Sequence, residues 1–126
     1  MNGRKIGYWT ATALVVFGVA SGGAAELARR PENVEGLVRL GYPVYLATLL
    51  GAWKLLGAVV LVVPRVPRLK EWAYAGIVFN MTGAAFSHAA AHDETWHVVV
   101  TLVFAGLALA SWALRPASRT LGEPAA

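Results

Sequence analysis

Lys54 is the residue whose position most demands an explanation, because it lies near the middle of an apolar run from Pro43 to Val63. A lysine at the centre of a bilayer costs ~2.5–3.5 kcal/mol on insertion scales and calls for a partner. Side chains lean toward the N-terminus of their own helix. Lys54 and Glu26, which closes the preceding apolar run, would therefore lean toward each other from antiparallel helices. Their Cα atoms would differ in depth by ~10–15 Å at 1.5 Å rise per residue. Two long side chains, or a water between them, can close that gap.

A later apolar run adds Asn80 near its centre and Ser87 and His88 toward its end. Glu26, Lys54, Asn80 and His88 thus form the candidate polar cluster, with His92 and His97 close to the same side. Two chemistries fit it. One is an outward-facing pocket that contacts a ligand or passes a proton. The other is structural, an ion pair fixing helix register and a histidine hydrogen-bonding between helices. The sequon Asn80-Met-Thr82 falls inside the run and reads as a chance match.

His88 and His92 have the i, i+4 spacing that can chelate zinc, and His97, Asp93 and Glu94 are near. No HExxH and no cysteine accompanies them, so no metal is assigned; His88, His92 and His97 are candidates by spacing alone. The histidines offer haem no obvious fixed pair. There is no P-loop, dinucleotide fingerprint, GxSxG elbow or carboxylate pair set for acid–base work. A catalytic residue is therefore not assigned, and a non-catalytic role is expected.

The elements that must position these residues are four apolar runs, about 6–25, 43–63, 72–90 and 98–114. Each approaches the ~20 residues a helix needs to cross a ~30 Å hydrocarbon core. In lipid every backbone polar group must pair internally, which makes a segment this apolar a helix. With 57% hydrophobic residues in 126, the chain has more apolar surface than a soluble domain of this size can hide. The expected fold is all-α, a single transmembrane domain over 1–126, built as a four-helix bundle with a short interfacial helix in the first loop.

That short helix is expected over 31–40. Pro31 suits a first turn, Glu32 and Glu35 suit the N-terminal dipole, and Val34, Leu37 and Val38 share a face before Gly41 and Pro43 end it. Pro64–Lys70 reads as a tight turn against lipid head groups. Tyr8, Trp9, Trp72, Tyr74 and Trp112 are expected near one interface, Tyr42 and Tyr45 near the other. The tail after Arg115 reads as disordered. The small-residue pairs Gly18/Gly22, Ala47/Gly51 and Gly106/Ala110 would let helices approach closely.

Charge gives orientation. Arg4, Lys5, Arg65, Arg68, Lys70, Arg115 and Arg119 fall on one side of a four-span chain. Arg29, Arg30 and Arg39 on the other are offset by Glu26, Glu32 and Glu35. The positive-inside rule puts both termini in the cytoplasm. The net charge of +4 belongs to this pattern, and no basic stripe or motif points to nucleic acid. The first run also has a rival reading as a cleaved secretory signal; its length and the three runs that follow favour a span. The absence of cysteine removes disulfides, thiolate nucleophiles and CxxC redox motifs.

Leu40-Gly-Tyr-Pro43, Leu50-Gly-Ala-Trp-Lys-Leu-Leu-Gly-Ala58 and Pro64-Arg-Val-Pro-Arg-Leu-Lys-Glu-Trp-Ala-Tyr-Ala-Gly76 together resemble the DoxX-like family of small four-span bacterial membrane proteins. Gly83-Ala-Ala-Phe-Ser-His88 and Ala108-Leu-Ala-Ser-Trp-Ala-Leu-Arg-Pro116 fit the same pattern. The resemblance implies a multi-pass protein of the bacterial inner membrane. It also implies a link to quinone chemistry, since the wider family takes its name from a small subunit of a thiosulfate:quinone oxidoreductase.

The expected function is thus a non-catalytic membrane protein that binds a lipophilic ligand, a quinone among the candidates, or serves as accessory subunit of a membrane redox system. A small transporter or proton-coupled permease and a structural membrane scaffold are the alternatives. The expected partners are the lipid bilayer, a lipophilic small molecule, and further copies of the chain or redox-complex subunits.

Overall fold

The computed structural model describes residues 2–120. Among these the chain is helical: α1 Gly3–Leu27, α2 Pro31–Arg39, α3 Tyr45–Val62, α4 Pro67–Ala90, α5 Thr95–Ala113, and a 3-10 turn Ala117–Arg119. Local chemistry explains the ends. The Asn2 side chain accepts from the Lys5 N–H and caps α1, and Pro31 and Pro67 fill first-turn positions where a missing N–H costs nothing. The chain reverses through left-handed residues at Arg29, Gly41, Arg65, Val66 and His92. Gly41 adopts φ 94° without strain, whereas β-branched Val66 at φ 46° is held there between Pro64 and Pro67 against its own preference.

α1 packs against α3 and α5, α4 packs against α5 and α3, and α2 lies across the ends of α1 and α3. The interior is made of small and hydroxylated residues with a few aliphatics: Val15, Val19, Ala47, Ala58, Leu61, Ala105, Ala108, Thr12 and Ser111 are all buried. The large apolar residues point outward, with Phe17 and Phe86 76% exposed, Phe79 74% and Trp72 68%. In water such a surface would aggregate; against lipid tails it is the expected exterior. α1, α3 and α5 have the length and hydropathy to cross a membrane. α4 is long enough at 24 residues, but its run of Arg68, Lys70 and Glu71 and its Asn80, Ser87 and His88 make it less apolar. The helical architecture and the short first-loop helix match expectation, and three of the four expected spans meet those criteria.

Gly23 and Gly51 mark where α1 and α3 meet backbone to backbone. A Cβ on Gly51 would lie 2.7 Å from both the Gly23 carbonyl oxygen and the Leu27 nitrogen. Of the expected small-residue pairs, Gly51 is used at this contact and Ala47 is buried, Gly18 makes room for the Phe104 ring, and Gly106 faces open space. Gly23, not Gly22, is the partner of Gly51.

Four expectations need correction. Tyr8 and Tyr74 are 0% and 3% exposed, so their rings face the core and not lipid head groups. Pro64–Lys70 is not wholly a turn, since α4 begins at Pro67. Lys70 is buried instead of meeting head groups: its Nζ donates to the carbonyls of Val60, at 2.5 Å, and Val63. The stretch after Arg115 is ordered as far as Thr120. There Arg119 donates to the Leu61, Val62 and Val63 carbonyls and stacks 4.8 Å from the Trp9 ring centre. Gly122 and Pro124 lie outside the described residues. Arg4 likewise donates to the Ala113 carbonyl at the end of α5. Cations that the sequence offers for orientation are here also satisfying orphan carbonyls at helix C-termini, where the dipole favours them.

Candidate functional site

A groove of about 800 Å³ lies between α3 and α4. Its walls are apolar: Leu50, Trp53 and Leu56 come from α3, and Trp72, Ile77 and Phe79 from α4. Leu37 and Leu40 of the α2 region close one end. Of the apolar face of α2, Leu37 covers the groove, while Val38 stays exposed and no residue of α2 is buried.

Lys54, Asn80 and Ser87 interrupt the walls, with the Tyr42 hydroxyl at one end. Lys54 Nζ donates to Glu26 Oε1 at 2.5 Å, with side chains 16% and 7% exposed. The gap foreseen between them is closed because Gly23 and Gly51 bring the helices together one turn away, so no water is needed as a bridge. An ammonium has three donors and Glu26 takes one, so Lys54 retains donors at the groove wall. Asn80 is half-buried, and its amide makes no hydrogen bond to a described residue. Ser87 donates its only proton to the Gly83 carbonyl at 2.8 Å. Tyr42, 2.5 Å from Ser87 Oγ, must then be the donor in that pair. This bond ties the α2–α3 connection to α4 across the end of the groove.

His88 does not join Lys54. It turns to the α4–α5 connection, where its Nδ1 lies 2.7 Å from Asp93 Oδ2; His97 Nδ1 is 2.9 Å from the same oxygen. The two imidazoles stack at 4.9 Å between centres. The Glu94 backbone N–H, then His88 and His97, hold the Asp93 carboxyl down at about 2, against the opposing effect of burial. His92 is not one helical turn beyond His88 on a shared face: α4 ends at Ala90, and His92 is an exposed left-handed residue of the connection. The candidate cluster is thus divided: Lys54 and Asn80 line the groove, Glu26 is buried behind Lys54, and His88 belongs to a separate group.

At the opposite end of the helices, Ser111 Oγ lies 2.6 Å from Thr12 Oγ1 and 2.7 Å from Tyr74 Oη, joining α1, α4 and α5. Tyr8 Oη is buried beside them with no partner among the described residues. Sequence reasoning missed this network and the Tyr42–Ser87 bond. Isolated hydroxyls in apolar runs carry no spacing signal, because their partners come from different helices. From the sequence Asp93 reads only as a neighbour of the histidines; its place four residues before His97 is the one cue to the pairing.

The profile of the DoxX-like family matches residues 10–111, a stretch that takes in the groove, the Glu26–Lys54 pair and the histidine group. No functionally curated protein and no solved structure matches the chain.

Proposed function

The chain belongs to the DoxX-like family, and from that premise we propose that this membrane protein holds a lipophilic molecule with a polar head in the α3–α4 groove. A quinone is the class that fits best, and the chain would act alone or as the accessory subunit of a membrane redox system. One observation carries the reading: Lys54 and the unpaired Asn80 amide lie on the wall of a mostly apolar groove of about 800 Å³, whose other polar groups, Ser87 and Tyr42, are bonded to each other. Concave, mostly apolar sites with few polar groups are typical of small-molecule binding. A ring carbonyl can accept from Lys54 while the Asn80 amide donates to a second one. An isoprenoid tail would lie along Leu50, Trp53 and Phe79 and run out into lipid.

In this reading four helices cross the inner membrane, with α4 as the fourth, and both termini are cytoplasmic. The groove's polar wall then sits in the outer half of the bilayer. The role is binding and placement, not bond-making.

The test is extraction and mass spectrometry of small molecules that co-purify with the protein in mild detergent. Lys54→Ala and Gly76→Leu are purified alongside. Gly76 lines the groove and a Cβ there meets nothing within 4 Å, so leucine fills the groove without disturbing the core. A stoichiometric quinone or other lipophile, lost from both variants while they stay folded, is the expected result. Bulk phospholipid alone in all three would refute the proposal. A scaffold role for the Glu26–Lys54 pair would then stand, since the pair sits at the closest α1–α3 contact.

A further inference from the structure

We propose that His88, Asp93 and His97 form a binding site for one divalent transition metal ion, zinc being the best match to two imidazoles and a carboxylate. Three separate parts of the chain supply the donors: the last turn of α4, the connection, and the first turn of α5. One donor atom from each lies within 4.8 Å of the others. The side chains are 16%, 10% and 23% exposed, sheltered but reachable.

The backbone prepares this arrangement. His92 at φ 55° turns the chain back, and the Asp93 N–H then donates to the His88 carbonyl at 2.9 Å. Asp93 is therefore fixed to the end of α4 by main chain and side chain together. Both imidazoles aim Nδ1 at one carboxylate oxygen, at 2.7 and 2.9 Å. Ligands about a tetrahedral zinc, bound at ~2.0–2.2 Å, stand ~3.3 Å apart. The two nitrogen–oxygen edges, 2.7 and 2.9 Å, must open by about half an ångström, and each Nδ1 must release the proton it now donates to Asp93 as the metal takes its place. Three protein ligands leave a fourth position open, and zinc favours this mixture of nitrogen and oxygen donors. The metal would pin α4 to α5 at this end of the molecule.

One charge opposes it. Arg39 of α2 lies 3.9 Å from Asp93 Oδ2, with its side chain 60% exposed. It must swing away when a cation binds, which its exposure allows. His92 lies outside the donor set.

The experiment uses the full chain in mild detergent, stripped with a chelator and titrated with Zn²⁺ and with Co²⁺, whose visible spectrum reports coordination. One ion per chain is expected, with a tetrahedral cobalt spectrum. His88→Ala, Asp93→Asn and His97→Ala should each weaken binding by more than the ~10–100-fold that follows loss of an outer-shell partner. Arg39→Ala should tighten it about two- to fivefold, the scale of an exposed ion pair. His92→Ala should leave it unchanged. Saturable binding that survives all three ligand substitutions, or that is lost equally in His92→Ala, overturns the assignment, as does the absence of stoichiometric binding by the unaltered chain. Should a ligand variant fail to fold, X-ray absorption on the zinc-loaded natural chain decides: two imidazoles with an oxygen donor support the site, and any other first shell refutes it.

Discussion

Lys54 Nζ meets Glu26 Oε1 at 2.5 Å one helical turn from Gly23 and Gly51, where the backbones of α1 and α3 touch. The close approach and the ion pair are one feature. Without the glycines the side chains could not reach; without the pair, each helix would carry a charge into an apolar interior. Breaking a buried pair from one side leaves the other charge uncompensated, at about 3–5 kcal/mol. Lys54→Ala is thus expected to lower the thermal midpoint in detergent sharply, while Glu26→Gln with Lys54→Met recovers most of it. If that double variant regains stability but not the co-purifying lipophile, Lys54 serves the ligand as well as the fold. A double variant no more stable than Lys54→Ala would show that the charges are not what the pair contributes.

Gly51→Ala tests the crossing itself. Its new Cβ would sit 2.7 Å from backbone atoms of Gly23 and Leu27, which cannot step aside as a side-chain tip can. Overpacking of this kind costs about 1–3 kcal/mol. Gly106→Ala, where a Cβ meets nothing within 4 Å, is expected to be neutral or stabilising by up to about 1 kcal/mol. Equal melting of the two variants would remove the close contact as a determinant of stability.

The hydroxyl group at the other end yields a contrast between neighbours. Ser111→Ala strands both Thr12 and Tyr74 in the interior and is expected to cost about 1–3 kcal/mol. Tyr8→Phe removes a buried hydroxyl that has no partner among the described residues, so stability should hold or rise. Denaturant unfolding of both variants beside the natural chain checks the order, and a Tyr8→Phe loss as large as that of Ser111→Ala contradicts it.

Acid sensitivity should trace to Glu71, just before the apolar part of α4. Burial pushes its carboxyl up, but hydrogen bonds from Trp112 and Arg115 with the Arg115 charge outweigh this, and the net direction is down from 4.5. Below 4.5 the unfolded chain takes up its proton first, so the unfolded state gains protons that the folded state does not. The stability Glu71 contributes is therefore full above 4.5 and is lost as pH falls through the lower folded value. Glu71→Gln should flatten that part of the melting-point profile against pH. An unchanged slope in the variant would assign it to another carboxylate.

Much of this protein is decided by sequence alone. Long apolar runs admit only helices in lipid, so helix number, approximate bounds and the short α2 follow from hydropathy, Pro31 and Gly41. Lys54 in an apolar run needs a partner, and Glu26 was the acid whose lean could meet it. What sequence could not decide was contact across helices. A stripe of small residues states that helices can approach, not which glycine faces which, and so Gly23 replaced Gly22. Position near a span's end does not reveal rotation about its axis, which carried Tyr8 and Tyr74 into the core and His88 away from Lys54. The groove itself is walled by side chains from α3 and α4 and closed by residues near α2. Which side chains share that wall is set by how the helices pack together, a sum of many small contacts that no single stretch of sequence encodes.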